Sequence, residues 1–517
     1  MSTLPTSITA LDDVPAILAW LAAQGVDQLT VDSREIAPRV AKGQAPGFIA
    51  WPGAARDGRA FVAQALQAGA RACLVEAEGA EAFAFSDARI AAVPDLKARL
   101  AGIAHAFYGN PSEQLAVVAV TGTNGKTSTS WWTAQALSAL GRPCGVIGTL
   151  GVGQPGAGDF EPTGLTTPDP VTLHATFRRF LDQGLSAVAI EASSIGIEER
   201  RLDATRIRVA QFTNFTQDHL DYHLTMEAYW RAKQALFEWG GLQAAVVNVD
   251  DPQGDELVPL CRQRGVPLWT TAVREPARLC AEDIVTQADG LRARIVERDE
   301  SLARVIDQAE LQASLVGDFN VSNLLAVIGA LRALDVPLAD AVKACAGLSA
   351  VPGRMQQVRL PEADALALPL AVVDYAHTPD ALLKALCALK PLAKARGGRL
   401  WCVFGCGGDR DPIKRPLMGA MADQHADEIV LTSDNPRSEA PGYILCQILG
   451  GMVRSEPAAV IENRHEAIVH AITHADPRDV VLIAGKGHET TQEVAGVKTP
   501  FSDVDEALSA LRARRAA

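Results

Sequence analysis

The chain has 517 residues, 48% hydrophobic and 21% charged, which excludes wholesale disorder and provides enough chain for about three domains. Asp and Glu total 61 against 48 Lys and Arg, a net charge of −13 that argues against a nucleic-acid backbone as main partner. No apolar run reaches the ~18–20 residues of a membrane span. Asp12 and Asp13, with no Lys or Arg among the first twenty residues, do not fit a secretory signal. Nine cysteines without a CxxC pair read as reduced thiols, so a cytoplasmic protein is expected.

Gly109-Asn110-Pro111 and Val351-Pro352-Gly353-Arg354 put Pro and Gly between periodic segments. They divide the chain into blocks 1–110, 111–350 and 351–517. In the middle block, short apolar runs end in polar residues. Leu115–Val120 precedes Thr121–Thr127, and Ala187–Ile190 precedes Glu191. Val209–Thr213 precedes Asn214, Asp218 and His219, and Ala244–Asn248 precedes Asp250. The last block repeats the pattern. Leu370–Val373 leads into Asp374–His377, and Leu400–Phe404 into Gly405–Arg410. Ile429–Thr432 leads into Asp434–Arg437, and Val480–Ala484 into Gly485–Glu489. Such runs read as buried parallel strands, and α/β sheets bind ligands beyond their strand carboxyl ends. The expected fold class is therefore α/β.

Gly122-Thr123-Asn124-Gly125-Lys126-Thr127 follows a predicted strand and opens a predicted helix that runs to about Gly141. Glycines let backbone N–H groups turn onto phosphate oxygens, and the helix N-terminus adds positive potential. Lys126 is placed to reach the β- and γ-phosphates, and the Thr127 hydroxyl to sit on Mg²⁺. Val120 stands where the common eight-residue pattern has glycine, so this is a short variant of the loop.

Glu191 and the cluster Asp218, His219, Asp221 and His223 are metal-ligand candidates. Mg²⁺ takes few protein ligands besides phosphate and water. Zinc is the alternative for the two histidines, but no Cys or HExxH context supports it. Asp221 and His223 also read as polar cap residues. Met226, Tyr229, Lys233 and Leu236 form an apolar helical stripe that includes Lys233. Two readings stay open for that lysine: a snorkelling stem, or a desolvated neutral amine able to take up CO₂ as a carbamate.

Together these residues resemble the Mur ligase family, the ATP-dependent amide ligases that build the peptidoglycan stem peptide. The similarity extends over Gly317–Asn323, Gly353-Arg354-Met355 and Asp374–Asp380. Asp434-Asn435-Pro436-Arg437 with Gly485-Lys486-Gly487-His488-Glu489 resembles the MurE branch, which adds the third amino acid. The resemblance implies a small α/β N-terminal domain that binds the uridine nucleotide, a central P-loop-type parallel-sheet ATPase domain and a C-terminal Rossmann-like domain. It implies ATP as co-substrate, Mg²⁺ as cofactor, UDP-MurNAc-L-Ala-D-Glu and meso-diaminopimelate as substrates, and a monomer.

Residue by residue, the resemblance assigns Gly122, Thr123, Asn124, Gly125, Lys126, Thr127, Ser128, Asn320, Arg354, Asp374 and His377 to ATP. It assigns Ser33 (within Asp32-Ser33-Arg34), Thr166, Thr167, Ser193, Glu199 and Arg201 to the UDP-MurNAc-dipeptide. Arg410, Asp434, Asn435, Pro436, Arg437, Gly485 and Glu489 go to diaminopimelate. Thr127, Glu191, His219 and Lys233 (as its carbamate) go to the metal, and Lys126, Lys233 and His219 to catalysis. Two positions depart from the family pattern. Ile195-Gly196 stands where many members read His-Ala, and Glu199 where a glutamine is common.

The implied reaction activates a carboxylate as an acyl phosphate, which the amine then attacks. A planar guanidinium such as Arg437 can grip the carboxylate that distinguishes diaminopimelate from lysine, while Glu489 pairs with the ammonium. Rival readings are a related ligase with another acceptor such as L-lysine, a phosphate-loop kinase, and a non-enzymatic nucleotide-binding scaffold.

Overall fold

The computed structural model describes residues 8–53, 56–158, 160–287, 290–317, 319–360, 367–453 and 459–516. Asp318 of the Gly317–Asn323 motif lies outside the described residues. The chain forms two compact units. One holds the residues up to Val247 together with Asp251–Trp269, and the other holds Asn248–Asp250 and the chain from Thr270 onward.

The first unit opens with a five-stranded parallel sheet. Its order is Thr9–Ala10, Ile90–Val93, Ala72–Glu76, Pro46–Ala50, Gln28–Thr30. The inner strands are short and apolar on both sides because both faces are covered. Helices Val14–Ala23 and Leu96–Phe107 bury Ile17, Leu21, Leu96, Leu100 and Ile103 against one face. Ile36, Phe48, Val62 and Ala65 fill the other. Val171, from the later helix Pro170–Asp182, joins the first of these cores.

The same unit continues with Ala116–Thr121 flanked by Ile207–Phe212 on one side and Ala187–Glu191 on the other, all parallel. Ala244–Asn248 lies beyond Ile207–Phe212, and Cys144–Gly148 lies beyond Ala187–Glu191. The chain first builds outward on the Cys144–Gly148 side and then crosses to Ile207–Phe212. Strand order therefore reverses around Ala116–Thr121, and a crevice opens at its carboxyl end. The loop 122–127 occupies that place.

In the second unit, Leu279–Gln287, Gly290–Arg298 and Val305–Ala313 pair antiparallel. The expectation of a parallel sheet throughout the central block does not extend to these strands. Val305–Ala313 is mostly exposed, Leu279–Gln287 is buried only over its first three residues, and Arg292, Arg294, Glu297 and Arg298 interrupt the largely buried Gly290–Arg298, so none of the three reads as a short apolar run. Glu297, fully buried, is gripped by Arg332 Nε at 2.7 Å and Nη2 at 3.1 Å.

A six-stranded sheet completes this unit. Its order is Gln356–Val358, Leu370–Asp374, Val480–Ala484, Leu400–Phe404, Glu428–Leu431, Ala459–Val460, parallel except at the first strand. Helices Pro379–Ala395, Lys414–His425 and Pro441–Leu449 cover one face. Arg464–His474 and Asp503–Ala516 cover the other. The expected α/β class holds for both units. On the second face the guanidinium of Arg464 meets the carboxylate of Asp503 through two 2.7 Å bonds, with both side chains 0% exposed.

Arg464→Leu leaves that carboxylate buried without its partner, so unfolding in denaturant is expected to show a loss of about 3–5 kcal/mol. The double variant Arg464→Leu/Asp503→Leu is expected to recover much of the loss, because no uncompensated charge then remains.

Candidate active site

In the first unit the loop after Ala116–Thr121 is held from below. Gly122 has φ +144°, and a Cβ there would overlap the Thr213 hydroxyl, so only glycine fits. Asn214 accepts the Thr123 N–H on its carbonyl at 2.8 Å and the Asn124 N–H on its side-chain oxygen at 3.0 Å. The Thr213 hydroxyl donates to the Asn124 carbonyl at 2.7 Å. Gly125, at φ +85°, starts the helix Lys126–Ala139, where Thr127 and Ser128 are buried in the first turn. Lys126 Nζ folds back onto the carbonyls of Gly122 and Thr123, each at 2.9 Å.

Lys233 reaches the same place from helix Met226–Gln234. It is 1% exposed, donates to the Gly122 carbonyl at 2.8 Å, and lies 4.4 Å from the ring centre of Tyr229. Burial pushes its amine well below the ordinary lysine range. The charge of Lys126 adds to this and Asp218 opposes it. The stripe reading of the sequence was right about burial, and the lysine does not snorkel. His219 lies beside Asp218, with its ring 6.0 Å from that of Tyr229. Burial lowers its pKa too, with Lys126 and Lys233 contributing in the same direction. His223 Nε2 pairs with the Ser194 hydroxyl at 2.9 Å, and its Nδ1 lies 2.9 Å from a Glu198 carboxylate oxygen without hydrogen-bond alignment.

Glu191, 1% exposed at the end of Ala187–Glu191, links several candidates. Its Oε2 accepts from Thr127 Oγ1 at 3.1 Å and Thr149 Oγ1 at 3.2 Å, and its Oε1 accepts the Thr149 N–H at 2.8 Å. A side chain at Gly148 would collide with Oε1. The Glu191 carbonyl takes the Thr167 hydroxyl at 2.7 Å, and Thr167 Oγ1 contacts Ser193 Oγ at 2.9 Å. Arg201 donates to the Thr167 carbonyl at 3.0 Å, and Thr166 reaches Thr149 at 3.1 Å. Thr127, Glu191, Thr166, Thr167, Ser193 and Arg201 thus form one connected network. Thr149 was missed in the sequence, although it too comes after an apolar strand, Cys144–Gly148.

Glu199 is bound by Lys97 at 2.7 Å and the Tyr222 hydroxyl at 2.8 Å, which hold its carboxyl below the usual range. At the Ile195-Gly196 departure, Gly196 packs so closely on Thr167 that a Cβ would lie 2.6 Å from that residue's Cβ. Ser33 sits in the turn after Gln28–Thr30, and no described hydrogen bond joins it to this network.

The second unit carries the remaining candidates. Arg354 lies over the ring of Tyr375 at 4.8 Å, and Tyr375 touches the rings of His377 and His488 at 4.5 and 5.3 Å. Asp374 accepts the Met355 N–H at 2.7 Å, and burial raises its carboxyl pKa against the pull of Arg354. Asn320 is buried and bonded to the Val316 carbonyl and to Asn323.

At the ends of Glu428–Leu431 and Val480–Ala484, Asp434 and Asn435 are buried, and Arg437 donates to the Gly408 carbonyl at 2.6 Å. Pro436 abuts Gly408, Gly485 abuts Asp434, and Arg410 is exposed next to Gly407. Glu489 accepts from Asn435 Nδ2 at 2.8 Å and from Lys486 Nζ at 2.9 Å. Burial works to raise its carboxyl pKa, but Lys486 and Asn435 outweigh that and hold it low. The sequence reading carries Lys486 within the Gly485–Glu489 motif without a role of its own, and it does not mark the hairpin Thr491–Val494/Val497–Pro500. That hairpin binds the Asp434–Arg437 turn through Gln492 and Glu493.

A lysine whose folded pKa is depressed resists the proton that the unfolded chain binds below its ordinary value near 10.5. In CO₂-depleted buffer, Lys233→Met is expected to be more stable than the natural chain at neutral pH. That gain should shrink as pH rises toward the lysine range, as denaturation across a pH series would show.

The family model for the Mur ligase middle domain matches residues 120–331, and that for the Mur ligase glutamate ligase domain matches 353–487. The UDP-N-acetylmuramoyl-L-alanyl-D-glutamate--2,6-diaminopimelate ligase of Acidovorax sp. (strain JS42) is 53% identical over 96% of this chain and 96% of its own. The protein of the same name from Pseudomonas aeruginosa is 45% identical over 94% of this chain and 95% of its own. A solved structure of a ligase of that name superposes with TM-score 0.68 at 34% identity, covering 95% of both chains. The MurF ligase of Thermotoga maritima, solved with ADP, shares the fold at TM-score 0.63 and 17% identity, covering 95% of this chain and 98% of its own. With two family models spanning the phosphate loop and the second unit's strand-end turns, and relatives aligned nearly end to end, this chain belongs to the Mur ligase family.

Proposed function

We propose that this chain is an ATP-dependent acid–amino-acid ligase that joins meso-2,6-diaminopimelate to the D-glutamate γ-carboxylate of UDP-MurNAc-L-Ala-D-Glu. The observation that carries this reading is the 53% identity, over 96% of both chains, to a relative named for that reaction.

A carboxylate is a poor electrophile, so its oxygen first takes the γ-phosphoryl group of ATP and ADP leaves. The diaminopimelate amine then attacks the acyl carbon and inorganic phosphate departs. The first step is a matter of alignment and charge neutralisation. The loop amides and Lys126 are the groups to supply it, with Lys126 turning from the carbonyls of Gly122 and Thr123 onto phosphate. Thr166, Thr167, Ser193 and Arg201 are the groups to hold the dipeptide arm, joined as they are to the Glu191 network.

The residues fit a divalent cation. Glu191 is a buried carboxylate whose partners among the described residues are hydroxyls and one backbone N–H, with no ion pair to Lys or Arg among them. Thr127 and Glu191, with the neutral imidazole of His219, would hold Mg²⁺, whose chemistry is to offset charge on transferring phosphate. Lys233 fits carbamylation, because burial disfavours the protonated amine and the neutral form is the one that adds CO₂.

For selectivity, Arg437 has one nitrogen on the Gly408 carbonyl, and among the described residues its others take no partner. A planar fork of that kind suits the distal carboxylate of diaminopimelate, which lysine lacks.

The test measures phosphate release from ATP with UDP-MurNAc-L-Ala-D-Glu and either meso-diaminopimelate or L-lysine. Turnover is expected with diaminopimelate. Turnover with lysine instead keeps the ligase and overturns the Arg437 argument, and none with either overturns the reading. Arg437→Lys is expected to raise the diaminopimelate KM by about 100-fold or more, since one bidentate pair is lost. Gly148→Ala, which displaces Glu191 without removing it, is expected to lower kcat about 100-fold.

A further inference from the structure

We infer that Lys486 is a positioning residue of the amino-acid pocket: its ammonium fixes which atoms of Asn435 and Glu489 are presented to the incoming zwitterion. The inference rests on the functional reading above and names a residue that the reading does not use.

Lys486 is 0% exposed and sits between two glycines at positive φ, Gly485 at +121° and Gly487 at +54°. Its Nζ donates to Asn435 Oδ1 at 3.1 Å, Glu489 Oε2 at 2.9 Å and the Thr491 carbonyl at 2.7 Å. An ammonium has three N–H bonds, and all three have acceptors.

The consequence for Asn435 is a single amide orientation. Its Oδ1 accepts from both Lys486 and the Glu493 N–H at 3.0 Å, and its Nδ2 donates to Glu489 Oε2. A flipped amide would set an NH₂ group against two donors. For Glu489, both described donors fall on Oε2, and among the described residues Oε1 takes none. The carboxylate therefore offers Oε1 to a ligand ammonium, while Oε2 stays tied to the protein.

The bond to Thr491 extends the control to the hairpin Thr491–Val494/Val497–Pro500. Gln492 Nε2 donates to the Asp434 carbonyl at 2.7 Å, and the Arg437 N–H donates to the Glu493 carbonyl at 3.1 Å. One buried charge thus ties together the Asp434–Arg437 turn, the Gly485–Glu489 turn and the hairpin.

The test uses the full chain with Lys486→Met and Lys486→Gln, measuring separate KM values for meso-diaminopimelate, ATP and the UDP-substrate by phosphate release. Expected for Lys486→Met is a rise of about 30-fold or more in the diaminopimelate KM, with the other two KM values changed by no more than about twofold. Lys486→Gln, which keeps an N–H donor, is expected to fall between. A diaminopimelate KM within about threefold of the natural chain in the folded Met variant overturns the inference, as does a parallel rise in all three KM values. Should Lys486→Met not fold, Lys486→Gln decides by the same split. Absence of diaminopimelate-dependent turnover in the unmodified chain defeats the functional reading itself and shows before any variant is made.

Discussion

The carboxylate of Glu191 organises the first unit. Its two oxygens take hydrogen bonds from the helix after the phosphate loop, through Thr127, and from the end of a neighbouring strand, through Thr149. Its own carbonyl anchors Thr167 and, through that residue, Ser193 and Arg201. Among the described residues the donors bonded to this buried carboxylate are neutral, and that chemistry is what the proposed cation site rests on. Two backbone approaches make the arrangement possible, at Gly148 beside the carboxylate and at Gly122 beneath the loop.

Much of this was legible because parallel strands, buried on both faces, write themselves as short apolar runs, and the polar residues at the end of each run gather along one edge of the sheet. That rule marks Glu191, Asn214, His219, Asp434 and Glu489 as strand-end residues, and the family resemblance, not the rule, supplies the expected roles of Glu191, His219, Asp434 and Glu489. Thr149 obeys the same rule and was overlooked because its strand, Cys144–Gly148, is rich in glycine. The antiparallel strands from Leu279 to Ala313 leave no comparable mark, since Val305–Ala313 is mostly exposed and charged residues interrupt the other two.

The links among candidates were not legible, because they depend on distances that no spacing encodes. The sequence placed Glu489 as a free partner for a substrate ammonium. Folding gives it Lys486 and Asn435 first and leaves one oxygen for anything else. Glu199 likewise stands where the family commonly has glutamine, and here its charge is met by Lys97, about a hundred residues earlier in the chain. A carboxylate in place of an amide is compatible with this fold because an ammonium has been brought to it.

The two fully buried lysines show that residue type and burial together do not determine chemistry; the acceptors do. Lys233 has the Gly122 carbonyl and the face of Tyr229, shares that carbonyl with a second cation, and among the described residues has no carboxylate bonded to it. Desolvation, with the charge of Lys126, then lowers the pKa of its amine against the pull of Asp218. Lys486 has a carboxylate, an amide oxygen and a carbonyl, one for each proton it carries. Such a group is committed to holding geometry. The surroundings of the two lysines thus differ where the sequence shows only two lysines, and that difference is what the two proposed roles rest on.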